Sequence, residues 1–294
     1  MSAHVPSTES VDTRTAGIDR ADTATQVRLL VEAQRGAVDA AAGAADAIAR
    51  AVDAIVAALR AGGRVLVAGA GTSGRLAVLD AAELGPTFGF PPERWSGCIA
   101  GGYAALRHAV EGAEDDRDAG TAAVAGMGPD DVVLGVSASG SAPFVAAALA
   151  AARARGARTI ALVNVAGSPL ALEADIAIEA LTAAEPIAGS TRLRAGTAQK
   201  IVLNAISTAA MIALGKTYGN LMVDVVASNE KLRARAERLV RELAGDVDAR
   251  ALLAAAGGAV KTAVVMARRD VDRATAERLL AEAGGRLASL IGER

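Results

Sequence analysis

The sequence predicts an α/β fold: a parallel β-sheet flanked by helices in three layers, followed by a small helical domain at the C-terminus. Strand-like apolar runs recur at 65–68, 98–100, 132–136, 159–163 and 176–178, with helical segments at 76–83, 103–111 and 144–155 between most of them. Alternation of this kind gives parallel strands joined by crossover helices, with functional loops at the carboxyl ends of the strands. Gly71, Ser139 and Asn164 each sit just past such an end. Beyond 178 the strands stop, and long helical patterns run over 192–214 and 224–243.

In chain order, the first 20 residues are polar and read equally as an ordered arm or a flexible tail. Across 23–59, Val27, Leu30, Val31, Val38, Ile48, Val52 and Ile55 fall at helical spacing, with a break near Gly43. Near the other end, Gly245-Asp246 breaks the pattern before short helices at 249–256, 260–267, 272–283 and 285–290. The expected organisation is therefore an arm and helices packing on the core (1–60), an α/β domain (61–244) and a helical C-terminal domain (245–294). The last is small for independent stability but able to dock.

Composition narrows the partners. Hydrophobic residues make up 52% of the 294-residue chain and aromatics only 2%, so the core is built from Ala, Val, Leu and Ile, and base stacking is not expected. A net charge of -2 from 31 basic and 33 acidic residues gives no electrostatic argument for nucleic acid or an anionic membrane. A lone Cys98 excludes an internal disulfide, and two distant histidines, His4 and His108, cannot form a Cys/His metal cluster. A reducing cytoplasm is the simplest compartment. The N-terminus carries no basic-then-apolar leader, and no apolar run is long enough to span a bilayer, so a soluble protein with no membrane partner is expected.

Two loops hold the chemistry. Gly69-Ala70-Gly71-Thr72-Ser73-Gly74-Arg75 and Ser137-Ala138-Ser139-Gly140-Ser141 each leave a strand-like run and enter a small-residue helix. Such turns aim N–H groups and hydroxyls at one spot where the helix N-terminus adds positive partial charge, which suits phosphate. Gly189-Ser190-Thr191-Arg192 repeats the pattern before another helix. Ordinary capping by Thr72, Ser73, Ser139, Ser141, Ser190 and Thr191 uses the same geometry. Arg192, Arg194 and Lys200 could supply charge to a ligand or face solvent.

The first loop also satisfies G-x-G-x-x-G, the dinucleotide fingerprint. That fingerprint needs an acidic residue at the end of the second strand, which here ends Ile99-Ala100-Gly101-Gly102; Glu93 precedes the strand. No Gly-Lys-Ser/Thr follows to make a Walker loop.

Together with Leu79-Asp80-Ala81-Ala82-Glu83, Gly101-Gly102, Glu111-Gly112-Ala113-Glu114-Asp115-Asp116, the run from Gly189 to Lys200 and Gly219-Asn220-Leu221-Met222-Val223-Asp224, these loops resemble the N-acetylmuramic acid 6-phosphate etherase family. The ordered match runs from about Thr8 to Lys231. It implies a sugar-isomerase (SIS) fold of flavodoxin-like type, and a homodimer with active sites near the subunit interface. It also implies cleavage of the D-lactyl ether at carbon 3 to give N-acetylglucosamine 6-phosphate and D-lactate, with no metal or organic cofactor. The family's two catalytic glutamates fall on Glu83, the proton donor to the lactyl oxygen, and Glu114, the second acid/base group. The substrate- and phosphate-binding set is Gly71, Thr72, Ser73, Gly74, Arg75, Ser137, Ser139, Gly140, Ser141, Ser190, Thr191 and Lys200.

By position alone, Glu83 closes a helix where a carboxylate opposes the dipole, and Glu114 belongs to an acidic run typical of a solvated loop. Only the resemblance gives them roles. The chain departs from the family pattern at Ser141-Ala142-Pro143-Phe144, where Arg-Thr-Pro-Tyr is usual, at Asp12 for Asn, at Ala184 for Gly and at Arg194 for Lys. Two other readings share the fold. One is a noncatalytic sugar-phosphate regulator like the glucokinase regulatory protein, whose loop carries the same Ser-Ala-Pro-Phe; the other is a sugar-phosphate isomerase.

Overall fold

The computed structural model describes residues 6–225 and 230–294; His4 and part of the expected 224–243 helix lie outside the described residues. Contacts divide the chain into two compact units, one of Met1–Ala82 with Glu93–Ser207, the other of Glu83–Pro92 with Thr208–Arg294.

The first unit begins with an ordered arm. Three 3-10 turns, Ser7–Glu9, Thr13–Thr15 and Ile18–Arg20, lead into α1 (Thr23–Ala33), α2 (Arg35–Gly43) and α3 (Ala45–Arg60). Asp22 caps α1 by accepting the Thr25 N–H at 2.7 Å. The arm is ordered because its polar groups have partners. The Thr15 hydroxyl donates to Pro186 O at 2.8 Å, Gly189 N–H donates to Thr8 O at 3.1 Å, and Arg194 pairs with Asp12 at 3.2 Å. Along the three helices, Val52 and Ile55 are buried, whereas Val27, Val31 and Val38 are exposed.

The sheet follows: β1 (Val65–Gly69), α4 (Gly71–Phe88), β2 (Trp95–Ile99), α5 (Gly102–Ala105), α6 (Arg117–Ala123), β3 (Val132–Ser137), α7 (Pro143–Ala154), β4 (Arg158–Val163), α8 (Pro169–Glu173), β5 (Ile176–Glu179) and α9 (Arg194–Ala213). All five strands are parallel, in the order β2-β1-β3-β4-β5, with Val65 opposite Val132 and Val132 opposite Arg158. This is the flavodoxin-like doubly wound order, whose direction of winding reverses between β1 and β3. Alternate strand residues face opposite layers. Val133, Ala161 and Val163 pack with Val145, Ala148 and Leu149 of α7, while α3 covers the other face at β3 and β5. A Cβ on Gly135 would lie 2.7 Å from Val145, so α7 sits close on the sheet.

Several elements depart from expectation. The 103–111 helix is only the four residues of α5, because among its residues Ala105 alone is buried and no apolar stripe holds a longer one. β2 starts earlier, at Trp95, whose buried ring outweighs the polar Ser96 and Gly97. α4 runs on past Glu83 to Phe88, so Glu83 does not close its helix. Strands also reappear after 178, as a hairpin of β6 (Thr217–Tyr218) and β7 (Leu221–Met222) turned at Gly219 and Asn220.

In the second unit α10 (Glu230–Ala244), α11 (Ala249–Ala255), α12 (Val260–Arg269), α13 (Arg273–Glu282) and α14 (Ala288–Ile291) share one apolar cluster with Tyr218, Val223 and Val225. Lys261 stitches it together. Its ammonium pairs with Asp224 at 2.7 Å and donates to Gly285 O at 2.9 Å, and Lys216 reaches the same carboxylate at 3.0 Å. Burial lowers the Lys261 pKa and Asp224 opposes that shift. These contacts make the unit start well before the glycine break at Gly245. Among the described residues, no single helix is long and apolar enough to cross a membrane.

The arm's attachment is pH-dependent. The Arg14 guanidinium, assisted by Arg194 and opposed by burial, holds the Asp12 carboxyl well below the usual carboxylate range. With a folded pKa below the unfolded one, the Asp12 contribution is complete above about pH 4 and is lost as pH falls through the folded value. Asp12→Asn should therefore lower the melting temperature at pH 7 and flatten its decline between about pH 4 and 2. A melting curve as steep in acid as the wild type would exclude the effect.

Candidate active site

At the carboxyl end of the sheet, where β1 and β3 diverge, a cavity of about 280 Å³ is lined by Glu9, Ala70, Gly71, Thr72, Ser73, Glu114, Val136, Ser137, Ala138, Ser139, Ala142, Gly189 and Thr191. A doubly wound sheet opens its ligand crevice at this reversal. A larger cavity, about 540 Å³, lies by α1, α2 and β5. There Arg35 pairs with Glu32, and Arg14 and Arg194 both pair with Asp12, while Asp39 and Glu179 add negative charge, so the cavity does not suit a phosphate.

The first loop is shaped by close packing. A Cβ on Gly74 would lie 2.6 Å from Gly69 O and 2.6 Å from Ile99 Cγ1, so only glycine lets α4 start this close to β1. The Gly74 N–H makes the first backbone bond of the turn, to Ala70 O at 3.1 Å. The N–H groups of Gly71, Thr72 and Ser73 precede it in the first turn, where a helix supplies no partner and its dipole is positive.

Ser73 takes part in a buried relay. Its hydroxyl donates to Gln199 Oε1 at 2.9 Å, Gln199 Nε2 donates to Asn164 Oδ1 at 3.0 Å, and Asn164 Nδ2 donates to Ala180 O at 2.7 Å. A carbonyl oxygen can only accept, so Ala180 fixes the direction of the whole chain. The Ser73 proton consequently points away from the cavity. The second loop is self-braced: Ser137 Oγ accepts the Gly140 N–H at 3.1 Å, Ser139 Oγ accepts the Ser141 N–H at 3.3 Å, and the Ser139 and Ser141 hydroxyls lie 2.9 Å apart.

The third loop differs. Glu185, with no exposed surface, accepts the Arg194 and Ala195 N–H groups at 2.8 Å each, so the N-terminus of α9 already holds an internal carboxylate. Burial pushes the Glu185 carboxyl up, against those two N–H bonds and the charge of Arg194. The Thr191 N–H is also engaged, by Gly189 O at 3.0 Å, which leaves the Thr191 hydroxyl to face the cavity.

Of the expected residues, Gly71, Thr72, Ser73, Ser137, Ser139, Thr191 and Glu114 come together at the cavity, whereas Gly74, Arg75, Gly140, Ser141, Ser190, Lys200 and Glu83 are not among its lining residues. Arg75 instead donates to Leu106 O at 3.4 Å and His108 O at 3.3 Å, and Lys200 donates to Asn204 Oδ1 at 2.8 Å. Arg194, 2% exposed, also donates to Ala33 O at 2.7 Å and to Ala184 O, and so serves the arm. Glu83 is exposed on α4, twelve residues beyond Gly71, and belongs to the second unit. Sequence reasoning missed Glu9, Gln199 and Glu185. Only Asn164, just past a strand end, carried a positional signal for the relay.

A parallel sheet in this order with hydroxyl-bearing loops at its strand ends defines a sugar-isomerase-type protein. Residues 108–209 match the SIS domain family and 47–153 the glucokinase regulatory protein N-terminal SIS domain. A candidate sugar-phosphate isomerase of Listeria monocytogenes shares the fold, with a TM-score of 0.50 at 19% identity over 67% of this chain and 94% of that one. N-acetylmuramic acid 6-phosphate etherase of Deinococcus radiodurans is 49% identical over 97% of this chain and 95% of its own. The Gloeobacter violaceus etherase is 50% identical over 95% and 93%, and an Escherichia coli etherase 43% over 95% of each. The chain belongs to the N-acetylmuramic acid 6-phosphate etherase family.

The relay makes a prediction about its members. Gln199→Leu strips Ser73 of its acceptor and Asn164 of its donor, and should weaken sugar-phosphate binding about tenfold while costing about 1–3 kcal/mol of stability. Ser73→Ala removes a proton directed away from the ligand and should cost less affinity. Calorimetric titration in which Ser73→Ala abolished binding while Gln199→Leu was neutral would make the Ser73 hydroxyl a direct ligand.

Proposed function

We propose that the protein is an etherase, a carbon–oxygen lyase that cleaves the D-lactyl ether of N-acetylmuramic acid 6-phosphate to N-acetylglucosamine 6-phosphate and D-lactate in cell-wall amino-sugar recycling. The reading rests on one observation: the cavity at the β1/β3 reversal combines phosphate-type donors with a carboxylate, Glu114, in a chain of the etherase family. The family supports an enzyme over a noncatalytic regulator or an isomerase.

In this reading the phosphate lies against the Gly71–Ser73 backbone and the Ser137, Ser139 and Thr191 hydroxyls. Ring opening exposes an aldehyde that acidifies the carbon 2 proton, and loss of that proton expels lactate from carbon 3. Water then adds to the unsaturated aldehyde. Both halves need a group that takes and returns protons. Glu114, which lines the cavity, is assigned this work. Turnover in deuterium oxide should place deuterium at carbon 2 of the product, and oxygen-18 water should label carbon 3. Oxygen-18 in the lactate hydroxyl, read by mass spectrometry, would refute elimination and hydration.

Glu83 is assigned as the proton donor, acting from the partner subunit of a cytoplasmic homodimer. Glu83 is not among the residues that line the cavity with Glu114, which favours action in trans, and exposed Val27, Val31 and Val38 offer apolar surface for a second copy. Glu83→Gln and Glu114→Gln should each slow lactate release at least about a hundredfold. Co-expressed, the two variants should recover about a quarter of wild-type activity, since half the dimers are mixed and each has one intact site. No recovery in dimers shown to be mixed would place Glu83 in cis.

A further inference from the structure

We infer that Glu9 is a substrate-binding residue, whose carboxylate accepts hydrogen bonds from hydroxyl and amide donors on the sugar while the loops after β1 and β3 hold the phosphate. The inference rests on the sugar-phosphate reading of the cavity and names what binds the rest of the ligand. Two carboxylates, Glu9 and Glu114, line the space, and no lysine or arginine is among its described lining residues. An ionised carboxylate is an acceptor only, and repels a phosphate dianion. The ligand atoms that suit it are therefore neutral donors. A phosphorylated amino sugar carries these as hydroxyls and an amide N–H.

Its placement is built rather than incidental. The Glu9 N–H donates to Pro6 O at 2.9 Å, closing the first turn of the arm, and the neighbouring Thr8 O takes the Gly189 N–H at 3.1 Å. The Glu9 carboxylate lies over residue 189, where a Cβ would come 3.0 Å from Glu9 Oε2 and where φ is +75°. Glycine at 189 thus leaves room for the carboxylate. Beyond Glu9, the Thr15–Pro186 hydrogen bond and the Asp12–Arg194 pair anchor the arm to the segment that carries Gly189 and Thr191.

Glu9→Ala should weaken binding of N-acetylglucosamine 6-phosphate at least about tenfold in calorimetric titration, with affinity for inorganic phosphate unchanged within about twofold. Glu9→Gln, which keeps one acceptor oxygen, should fall between. Gly189→Ala, which crowds the carboxylate without removing it, should reproduce the direction of the Glu9→Ala change. Equal losses for sugar phosphate and inorganic phosphate would reduce Glu9 to a prop for the arm, and unchanged affinity for both would remove it from the site. Lactate release by the wild-type protein, assayed alongside, keeps the two readings separable: its absence would overturn the etherase assignment, whereas its presence with unaltered Glu9→Ala binding would overturn only this inference.

Discussion

Four elements meet at one oriented chain of hydrogen bonds. Ala180 O, beyond β5, fixes the Asn164 amide beyond β4; that amide fixes Gln199 on α9, and Gln199 fixes Ser73 in the first turn of α4. Each link is buried, so each unmade bond would carry the full desolvation penalty, and the cheapest arrangement satisfies them all at once. The strand-end loops are thereby held in mutual register. A phosphate bound by dipoles rather than by a flexible cation needs this, because dipolar binding falls off steeply with misalignment.

Two helix N-termini near the cavity have opposite fates. The first turn of α4 is open, whereas that of α9 is filled by Glu185. Both follow small-residue, hydroxyl-bearing loops, so local sequence describes them identically. The difference comes from a carboxylate nine residues before Arg194, brought back by the turn at Gly189. Of the third loop's two hydroxyl residues only Thr191 lines the cavity, and the Arg194 side chain is turned to the arm by Asp12 and Ala33 O.

The parallel sheet and its order of functional loops were legible because buried parallel strands are written as continuous apolar runs. Polar Ser96 and Gly97 hid the start of β2, and the hairpin at 217–222 is too short to leave a pattern. The 103–111 segment has helix-forming residues but no buried stripe, and most of a helix's stability in a protein comes from such a face. At the site, the β1 and β3 loops could be read directly, since their glycines and serines act through local backbone. Glu114 came from family resemblance, and its place in the cavity could not have come from an acidic run alone. Glu9 and Gln199 lie far along the chain from the loops they join, and no local spacing encodes such contacts.

A cavity with carboxylates and no described cationic side chain also suits the chemistry assigned to it. A guanidinium beside the phosphate would strengthen binding, but its field would extend to the neighbouring carbons at this range and within a low-dielectric site. An opposite charge favours the ionised form of a carboxylate, and so weakens it as a base for a carbon acid. In the proposed mode, binding the dianion through the Gly71–Ser73 backbone and the Ser137, Ser139 and Thr191 hydroxyls would spread the positive potential over fixed partial charges. The field of such partial charges declines quickly with distance. In the proposed mode the groups that would anchor the phosphate are distinct from the carboxylate assigned to proton transfer, which separates the anchoring of this substrate from its reaction.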